Sequence, residues 1–287
     1  MSTPVAPGDP VGAVACVRHP GRVTGLRCNR CDRPACHECL REAAVGYQCV
    51  DCVNEGRRTV RRARNFVGAE GRGRLLATPV LVGLNLLVFV ALAVQAGNPL
   101  NVERAPLFGD FGLWPWAVVV DGEWWRFATN AFTHFGFLHL ALNMVWLGIL
   151  GWLLEPAFGT VRFLAVSVLS ILGCGAAVFL FGNPGSLGAG ASGLVYGLMG
   201  AVLVAMRPMG FNPGVVLPVF VLNVVSSFTL PGASLIGHAG GFVAGALVTA
   251  GLVFAPREKR EWYQAAVVAA GLVLFVVLVA VRAGQLG

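Results

Sequence analysis

Two polar residues in otherwise apolar stretches carry groups that together could break an acyl bond. Ser192 lies in the segment Gly190-Ala191-Ser192-Gly193, and His238 lies near the start of a later apolar stretch. A serine hydroxyl is a weak nucleophile until a neighbouring base takes its proton, and histidine is the commonest such base. Glycine on both sides lets the backbone pass close to a substrate and leaves the hydroxyl unhindered. These residues predict nucleophilic catalysis by Ser192, with His238 as the general base.

Three further residues are spaced to support this pair. His139 and Asn143 are four residues apart, so they project from one face of a helix, and both donate hydrogen bonds without a permanent charge. Such donors, together with the backbone N–H of Ser192, are what an oxyanion hole needs. Tyr196 lies on the same helix face as Ser192 and is expected to stack beneath a histidine. No Asp or Glu lies in these stretches at a depth to orient His238, which predicts a Ser–His dyad.

Each polar residue also has a purely structural interpretation. Serine or tyrosine in a membrane helix usually bonds to a backbone carbonyl, and a buried neutral histidine such as His134 can simply hold two helices together. The chemical interpretation depends on the combination. His238 is followed by Gly241 and Gly245, a pattern of small residues that permits the close helix approach that a Ser–His contact requires.

A second set of chemically capable residues lies near the N-terminus. Eight residues form four pairs with the spacing of metal ligands: Cys16-x2-His19, Cys28-x2-Cys31, Cys36-x2-Cys39 and Cys49-x2-Cys52. Tetrahedral Zn²⁺ takes four sulfur or nitrogen ligands, so the pattern predicts two closed structural zinc sites with no open position for catalysis. The spacing leaves open whether the pairs alternate between the two metals or follow in order, and His37 is an alternative ligand. The remaining Cys174 is expected to be a small buried side chain.

The elements that carry the apolar stretches must be membrane helices. The chain of 287 residues is 56% hydrophobic and 12% charged, roughly half the charged fraction of a soluble domain. Each stretch is close to the roughly 17–25 residues that cross a bilayer. The sequence therefore predicts seven spans, near 76–96, 134–154, 160–182, 190–206, 213–230, 235–255 and 262–282.

The parts before the first span have a different composition. Residues 1–55 are the Cys-rich module and 56–74 are an Arg-rich linker, with Arg57, Arg58, Arg61, Arg62, Arg64, Arg72 and Arg74. A basic segment next to a span favours a role in topology over nucleic-acid binding, so no nucleic-acid partner is expected. The positive-inside rule then puts the module in the cytoplasm of a bacterial-type cell, where its thiols stay reduced, and the C-terminus outside. The loop 97–133 contains four Trp and is expected in the membrane interface.

The motifs together resemble the rhomboid family of intramembrane serine proteases. The resemblance covers about residues 75–255 and rests on Trp125-Arg126, His134-x4-His139-x3-Asn143, Gly190-x-Ser192-Gly193-x2-Tyr196 and Gly237-His238-x2-Gly241-x3-Gly245. One departure is Gly237, where rhomboids commonly carry Ala. The resemblance implies an all-α polytopic membrane protein with a six-helix core over 75–255 and an additional transmembrane helix in 256–287.

The resemblance also implies roles for individual residues. Ser192 would be the nucleophile and His238 the base, while His139, Asn143 and the Ser192 amide would line the oxyanion hole without a catalytic cofactor. Trp125 and Arg126 would stabilise the interfacial loop. The substrates would be transmembrane helices of other proteins, cut near their outer end. The fifth span and the loop 226–233 would form a lateral gate and cap.

The Cys-rich module resembles B-box-type zinc fingers, in which ligand pairs alternate between two metals. That resemblance places Cys16, His19, Cys36 and Cys39 on one zinc and Cys28, Cys31, Cys49 and Cys52 on the other. A task in binding a cytoplasmic protein is expected for it. Two alternatives to a protease remain: a catalytically silent adaptor that binds membrane helices, and a transporter, which has little support because the spans lack a coupling carboxylate.

Overall fold

The structure is a computed structural model that describes residues 14–59, 65–69, 75–229 and 234–286. It forms two compact units, Met1–Arg62 and Ala63–Gly287. Residues 230–233 of the predicted cap loop lie outside the described residues, as do five linker arginines, namely Arg61, Arg62, Arg64, Arg72 and Arg74.

The first unit is built from two small antiparallel hairpins and one helix. Strand β1 (Val14–Cys16) pairs with β2 (His19–Thr24), β3 (Leu40–Glu42) pairs with β4 (Tyr47–Cys49), and α1 (Val50–Thr59) follows directly. Its buried side chains are mostly cysteines, together with Ala35 and Leu40. A core this small rarely stabilises a fold without metal or disulfides. The start of the predicted linker, residues 56–59, is helical because α1 continues to Thr59.

The second unit is mainly helical over its described residues. Its helices are α2 (Ala77–Ala96), α3 (Pro106–Phe111), α4 (Pro115–Val120), α5 (Arg126–Thr129), α6 (Gly136–Phe158), α7 (Thr160–Phe181), α8 (Ser192–Ala205), α9 (Pro213–Thr229), α10 (Leu235–Val253) and α11 (Arg260–Leu286). Seven of these correspond to the predicted apolar segments, and five, α2, α6, α7, α10 and α11, are long and apolar enough to cross a membrane. The chain is a multi-pass integral membrane protein.

Helix α8 is shorter than the predicted fourth span. It has 14 residues, which is about 21 Å at the rise of an α-helix, against roughly 30 Å of bilayer hydrocarbon. Nearly all of its side chains are buried, and its contacts are with α6, α7 and α10. A helix enclosed by other helices does not have to match the thickness of the lipid. Helix α8 begins at Ser192, two residues later than the apolar pattern indicated.

Helices α8 and α10 pack backbone against backbone through glycine. A Cβ added to Gly241 would overlap the backbone of Gly193, and one added to Gly245 would overlap the backbone of Gly197. Any larger residue at these positions would push the two helices apart. This close contact holds the first turns of α8 and α10 together, and those turns carry Ser192 and His238.

The start of α2 is held by a buried carboxylate from the end of α6. Glu155 Oε1 accepts the backbone N–H groups of Leu76 at 2.8 Å and Ala77 at 2.7 Å. Its Oε2 accepts the N–H and the hydroxyl of Thr78, at 2.8 and 2.7 Å. A helix start leaves its first N–H groups unpaired, and a carboxylate is the best partner for them. Glu155 directly follows the second predicted span, 134–154, and the sequence pattern does not indicate this role.

Candidate functional site

Ser192 and His238 are in direct hydrogen-bond contact. Ser192 Oγ lies 2.8 Å from His238 Nε2. The ring of Tyr196 lies flat against the imidazole, with centroids 4.2 Å apart and an interplanar angle of 7°. The structure therefore brings together the predicted nucleophile, the predicted base and the predicted stacking residue. At the helix start, Ser234 Oγ accepts the N–H of Gly237 at 3.1 Å and so caps α10 directly before His238.

The second nitrogen of His238 has no protein partner in the described part of the chain. Nδ1 of His238 is buried and makes no hydrogen bond there. The buried carboxylate of Glu155 is committed to the start of α2. Within the described residues no carboxylate bonds to this nitrogen, and the dyad stays a prediction.

His139 presents one nitrogen toward the loop that precedes Ser192. Its Nδ1 accepts the backbone N–H of Phe135 at 3.3 Å, so the proton of the neutral ring belongs on Nε2. A Cβ built on Gly190 would lie 3.0 Å from this Nε2 and 3.7 Å from Ser192 Oγ. Gly190 has φ +131°, a conformation that favours glycine. Gly190 therefore lies close to both His139 Nε2 and the Ser192 hydroxyl.

Asn143 lies one helical turn beyond His139 and is buried. Its Nδ2 donates to the backbone carbonyl of His139 at 2.8 Å. A side-chain amide has two N–H donors, so one remains for another acceptor. Ser192 is the first residue of α8, and its backbone N–H is among those that a helix start leaves without a helical partner.

His134 and its neighbours hold the loop in front of Ser192. His134 is fully buried, and its Nε2 accepts the N–H of Ala191 at 3.3 Å. The N–H of Gly190 bonds to the carbonyl of Asn130 at 2.9 Å. Asn130, which the sequence analysis did not single out, also donates its side-chain amide to the carbonyls of Arg126 and Phe127. Its spacing of four residues from His134 is a sequence signal that could have indicated Asn130.

The described contacts of Trp125 and Arg126 lie within the loop 97–133. Trp125 Nε1 donates to the carbonyl of Asp110 at 3.2 Å. Arg126 is 3% exposed, pairs with Glu123 and donates to the carbonyl of Gly112 at 2.7 Å. These bonds tie α3 to α5 and are the contacts of positioning residues, not of groups at the reacting atoms.

The eight metal-ligand candidates gather into two groups of four in the first unit. One group is Cys16, His19, Cys36 and Cys39, and the other is Cys28, Cys31, Cys49 and Cys52. The pairs alternate between the groups, and His37 belongs to neither. Within a group, His19 Nδ1 lies 3.3 Å from Cys36 Sγ and 3.4 Å from Cys39 Sγ, and Cys31 Sγ lies 3.7 Å from Cys49 Sγ. Ligands at the edges of a zinc tetrahedron are about 3.5–3.8 Å apart, so both groups fit the ion.

Backbone amides favour the thiolate form of one cysteine in each group. A hydrogen bond with the backbone of Cys36 lowers the pKa of the Cys16 thiol to about 6. Burial raises the pKa of Cys28, but hydrogen bonds with the backbone of Cys49, Cys31 and Arg30 outweigh it and lower that pKa to about 6. Burial raises the pKa of Cys39 to about 11, and a hydrogen bond with Cys31 raises that of Cys52 to about 12, so in each group one cysteine favours the thiolate that binds metal and another favours the thiol.

Comparison with known proteins identifies the second unit. Residues 121–256 match the Rhomboid domain family. Over 188 residues the chain is 29% identical to rhomboid protease GluP of Bacillus subtilis (strain 168), covering 63% of this chain and 35% of that protein. It is 34% identical over 155 residues to RHOMBOID-like protein 5 of Arabidopsis thaliana, covering 52% and 50%. It is 30% identical over 123 residues to rhomboid protease GlpG of Enterobacter sp. (strain 638), covering 43% and 41%.

The matched part includes every residue of the Ser192–His238 site. The chain spans half or less of the length of these three relatives, and α2 precedes the matched family segment. The Cys-rich unit also lies outside that segment, and its two four-ligand groups are consistent with a zinc-binding module. Residues 121–256 therefore form a rhomboid domain within the helical unit.

Proposed function

We propose that the chain is an intramembrane serine endopeptidase that cuts transmembrane helices of other proteins near their outer end. The observation that carries the proposal is the 2.8 Å contact between Ser192 Oγ and His238 Nε2. Two of the relatives are named rhomboid proteases, which supports the same activity.

The reaction follows the two-step course of a serine hydrolase. His238 Nε2 takes the proton from Ser192 Oγ as the oxygen attacks the carbonyl carbon of the scissile peptide bond. The same nitrogen then gives the proton to the leaving amine, which leaves an acyl group on Ser192. Water, deprotonated by His238, hydrolyses this ester and restores the serine. The flat contact with Tyr196 keeps the imidazole in place through both steps.

During the attack the carbonyl oxygen becomes negatively charged, and hydrogen-bond donors already in position stabilise it. The donors proposed here are His139 Nε2–H, the second Nδ2–H of Asn143 and the backbone N–H of Ser192. Support comes from the bond between Phe135 N–H and His139 Nδ1, which assigns the ring proton to Nε2. All three donors are neutral, so they can lie in a low-dielectric site without an uncompensated charge.

The test uses the full chain purified in detergent. Ser192→Ala and His238→Ala are each expected to abolish labelling by a fluorophosphonate probe and cleavage of a transmembrane model substrate. Ser186→Ala is the matched control, because Ser186 is an exposed serine of the preceding loop that bonds only to the carbonyl of Asn183 in the described contacts. Undiminished cleavage by Ser192→Ala would overturn the proposal. Substrate binding by wild-type protein without any labelling would instead indicate a silent adaptor.

We also propose that the first unit binds two structural zinc ions and lies in the cytoplasm, where it binds a protein partner. Each group supplies four sulfur or nitrogen ligands at distances that fit zinc, and four ligands leave no position open for a reacting water. When bound, the ions would cross-link the two hairpins and α1. The orientation rests on the basic residues before the first span. Antibody binding to an epitope tag at the N-terminus checks it in inside-out and right-side-out vesicles: the tag should be detected only in the inside-out ones.

A further inference from the structure

One side chain touches the backbone beside both members of the proposed dyad. Cys174 lies on α7, and a Cβ added to Gly193, the residue after Ser192, would overlap its Cβ and Sγ. The same sulfur lies 3.0 Å from where a Cβ would stand on Gly237, the residue before His238. The thiol of Cys174, which belongs to α7, therefore packs against the starts of both α8 and α10.

Three atoms limit the space for a side chain at position 237. A methyl group there would also lie 3.1 Å from Val178 Cγ2 and 3.2 Å from Ser234 Oγ, the atom that caps α10. Ordinary van der Waals contact begins near 3.4 Å, so each neighbour would have to move by a few tenths of an ångström. The sulfur of Cys174 also packs against Gly193, where an added Cβ would overlap it, so it contacts both helix starts.

We propose that Cys174 is a positioning residue of the Ser192–His238 pair and that its bulk is the reason for glycine at position 237. The inference rests on the proposed function. A methyl group on residue 237 would lie 3.0 Å from the sulfur, tighter than an ordinary van der Waals contact. Close-packed helices cannot absorb an extra methyl without shifting. A shift of α10 moves His238 relative to Ser192, and catalysis is sensitive to displacements well below 1 Å.

The inference is tested by a double-mutant cycle on positions 174 and 237. Gly237→Ala is expected to lower kcat about tenfold while KM changes little, because the substrate still binds but the dyad is displaced. Cys174→Ala removes the sulfur, so the double variant Cys174→Ala/Gly237→Ala should regain most of the lost kcat. Cys174→Ser, which nearly keeps the shape, should retain activity, since no thiol chemistry is involved.

Two matched glycine variants show whether the rescue is specific. Gly240→Ala, also on α10, would meet Ala177 and the backbone of Gly173, so removing the sulfur of Cys174 should not rescue it. Gly83→Ala on α2 has no atom within 4 Å of the added methyl and should behave as wild type. An active wild type in which Gly237→Ala keeps full kcat, or is not rescued by Cys174→Ala, overturns the inference and leaves the proposed function standing.

Melting temperatures of the same variants separate this inference from the activity. A wild type that shows neither labelling nor cleavage overturns the proposed function. In that case the four melting temperatures still test the packing, because residues in contact give non-additive shifts. A double variant that melts above Gly237→Ala supports the inferred contact, and strictly additive shifts overturn it.

Discussion

His139 and His134 flank the loop before Ser192, and each commits a different nitrogen. His134 uses Nε2 to accept the N–H of Ala191, whereas His139 uses Nδ1 to accept the N–H of Phe135. The free nitrogen of His139 is therefore a donor beside Gly190 and Ser192. The sequence favours His139 as the donor because it lies four residues before Asn143, but it does not give the nitrogen that each ring commits. Their hydrogen-bond partners separate a candidate oxyanion donor from a loop support.

His139→Ala is expected to lower kcat by about 10²–10³ with a smaller change in KM, because the lost donor acts on charge that forms in the transition state. Cleavage rates of a model substrate at several concentrations measure both constants. His37→Ala is the matched control, since His37 is exposed and belongs to neither metal group. A His139→Ala variant with normal kcat would remove this residue from the oxyanion hole.

At the scale of elements, the buried carboxylate of Glu155 joins α6 to α2. Glu155→Gln replaces one acceptor oxygen with an NH₂ group that faces backbone N–H donors, so at least one buried N–H loses its partner. The expected cost is about 1–3 kcal/mol in the free energy of unfolding. Thermal unfolding in detergent measures it, with Glu258→Gln at an exposed site as the control. Equal melting temperatures for the two variants would contradict the cap.

Helix contact between α8 and α10 leads to a second prediction at this scale. Alanine is the better helix former by roughly 0.5–1 kcal/mol, so Gly→Ala in an open helix position should stabilise. Gly148→Ala meets no atom within 4 Å and serves as that reference. Gly245→Ala would place its methyl against the backbone of Gly197 and is expected to cost about 1–3 kcal/mol or more. Unfolding midpoints in the same detergent compare the two, and a stabilised Gly245→Ala would exclude the close contact.

The sequence could predict the helices and the candidate site residues better than their ends and supports. Ser192, Tyr196 and His238 were recognisable because few polar residues occur in those stretches, and chain order places them on one side. The start of α8 was not, because Gly190 and Ala191 are as apolar as the helix that follows. The role of Glu155 could not be predicted, because its partners are backbone N–H groups at residues 76–78. Nearly every residue type has such a group, so no sequence pattern marks them.

At the scale of the whole molecule, the end of the linker is fastened to the helical unit. Asn65 donates to the carbonyl of Ala157, and Gln264 on α11 donates to the carbonyls of Val67 at 3.0 Å and Leu252 at 2.8 Å. Arg162 completes the set by donating to Gln264 Oε1 at 2.7 Å. Val67 is fully buried. Residues 65–69, ahead of the first span, are thus part of the folded helical unit. The charged residues around them in the sequence did not indicate this.

The two ligand groups of the first unit predict two zinc ions per chain, and the alternating pairing predicts which cysteines share an ion. Cys16→Ser/Cys36→Ser removes two ligands of one group, so one zinc should remain. Cys16→Ser/Cys28→Ser damages both groups, and both ions should be lost. Pairing in chain order would reverse these two results. Elemental analysis of the purified protein decides between them, with Cys174→Ser as the control that should keep both ions. Because a module this small folds only around its metal, the variant without zinc should also lose protection of residues 14–59 from protease, while the helical unit stays intact.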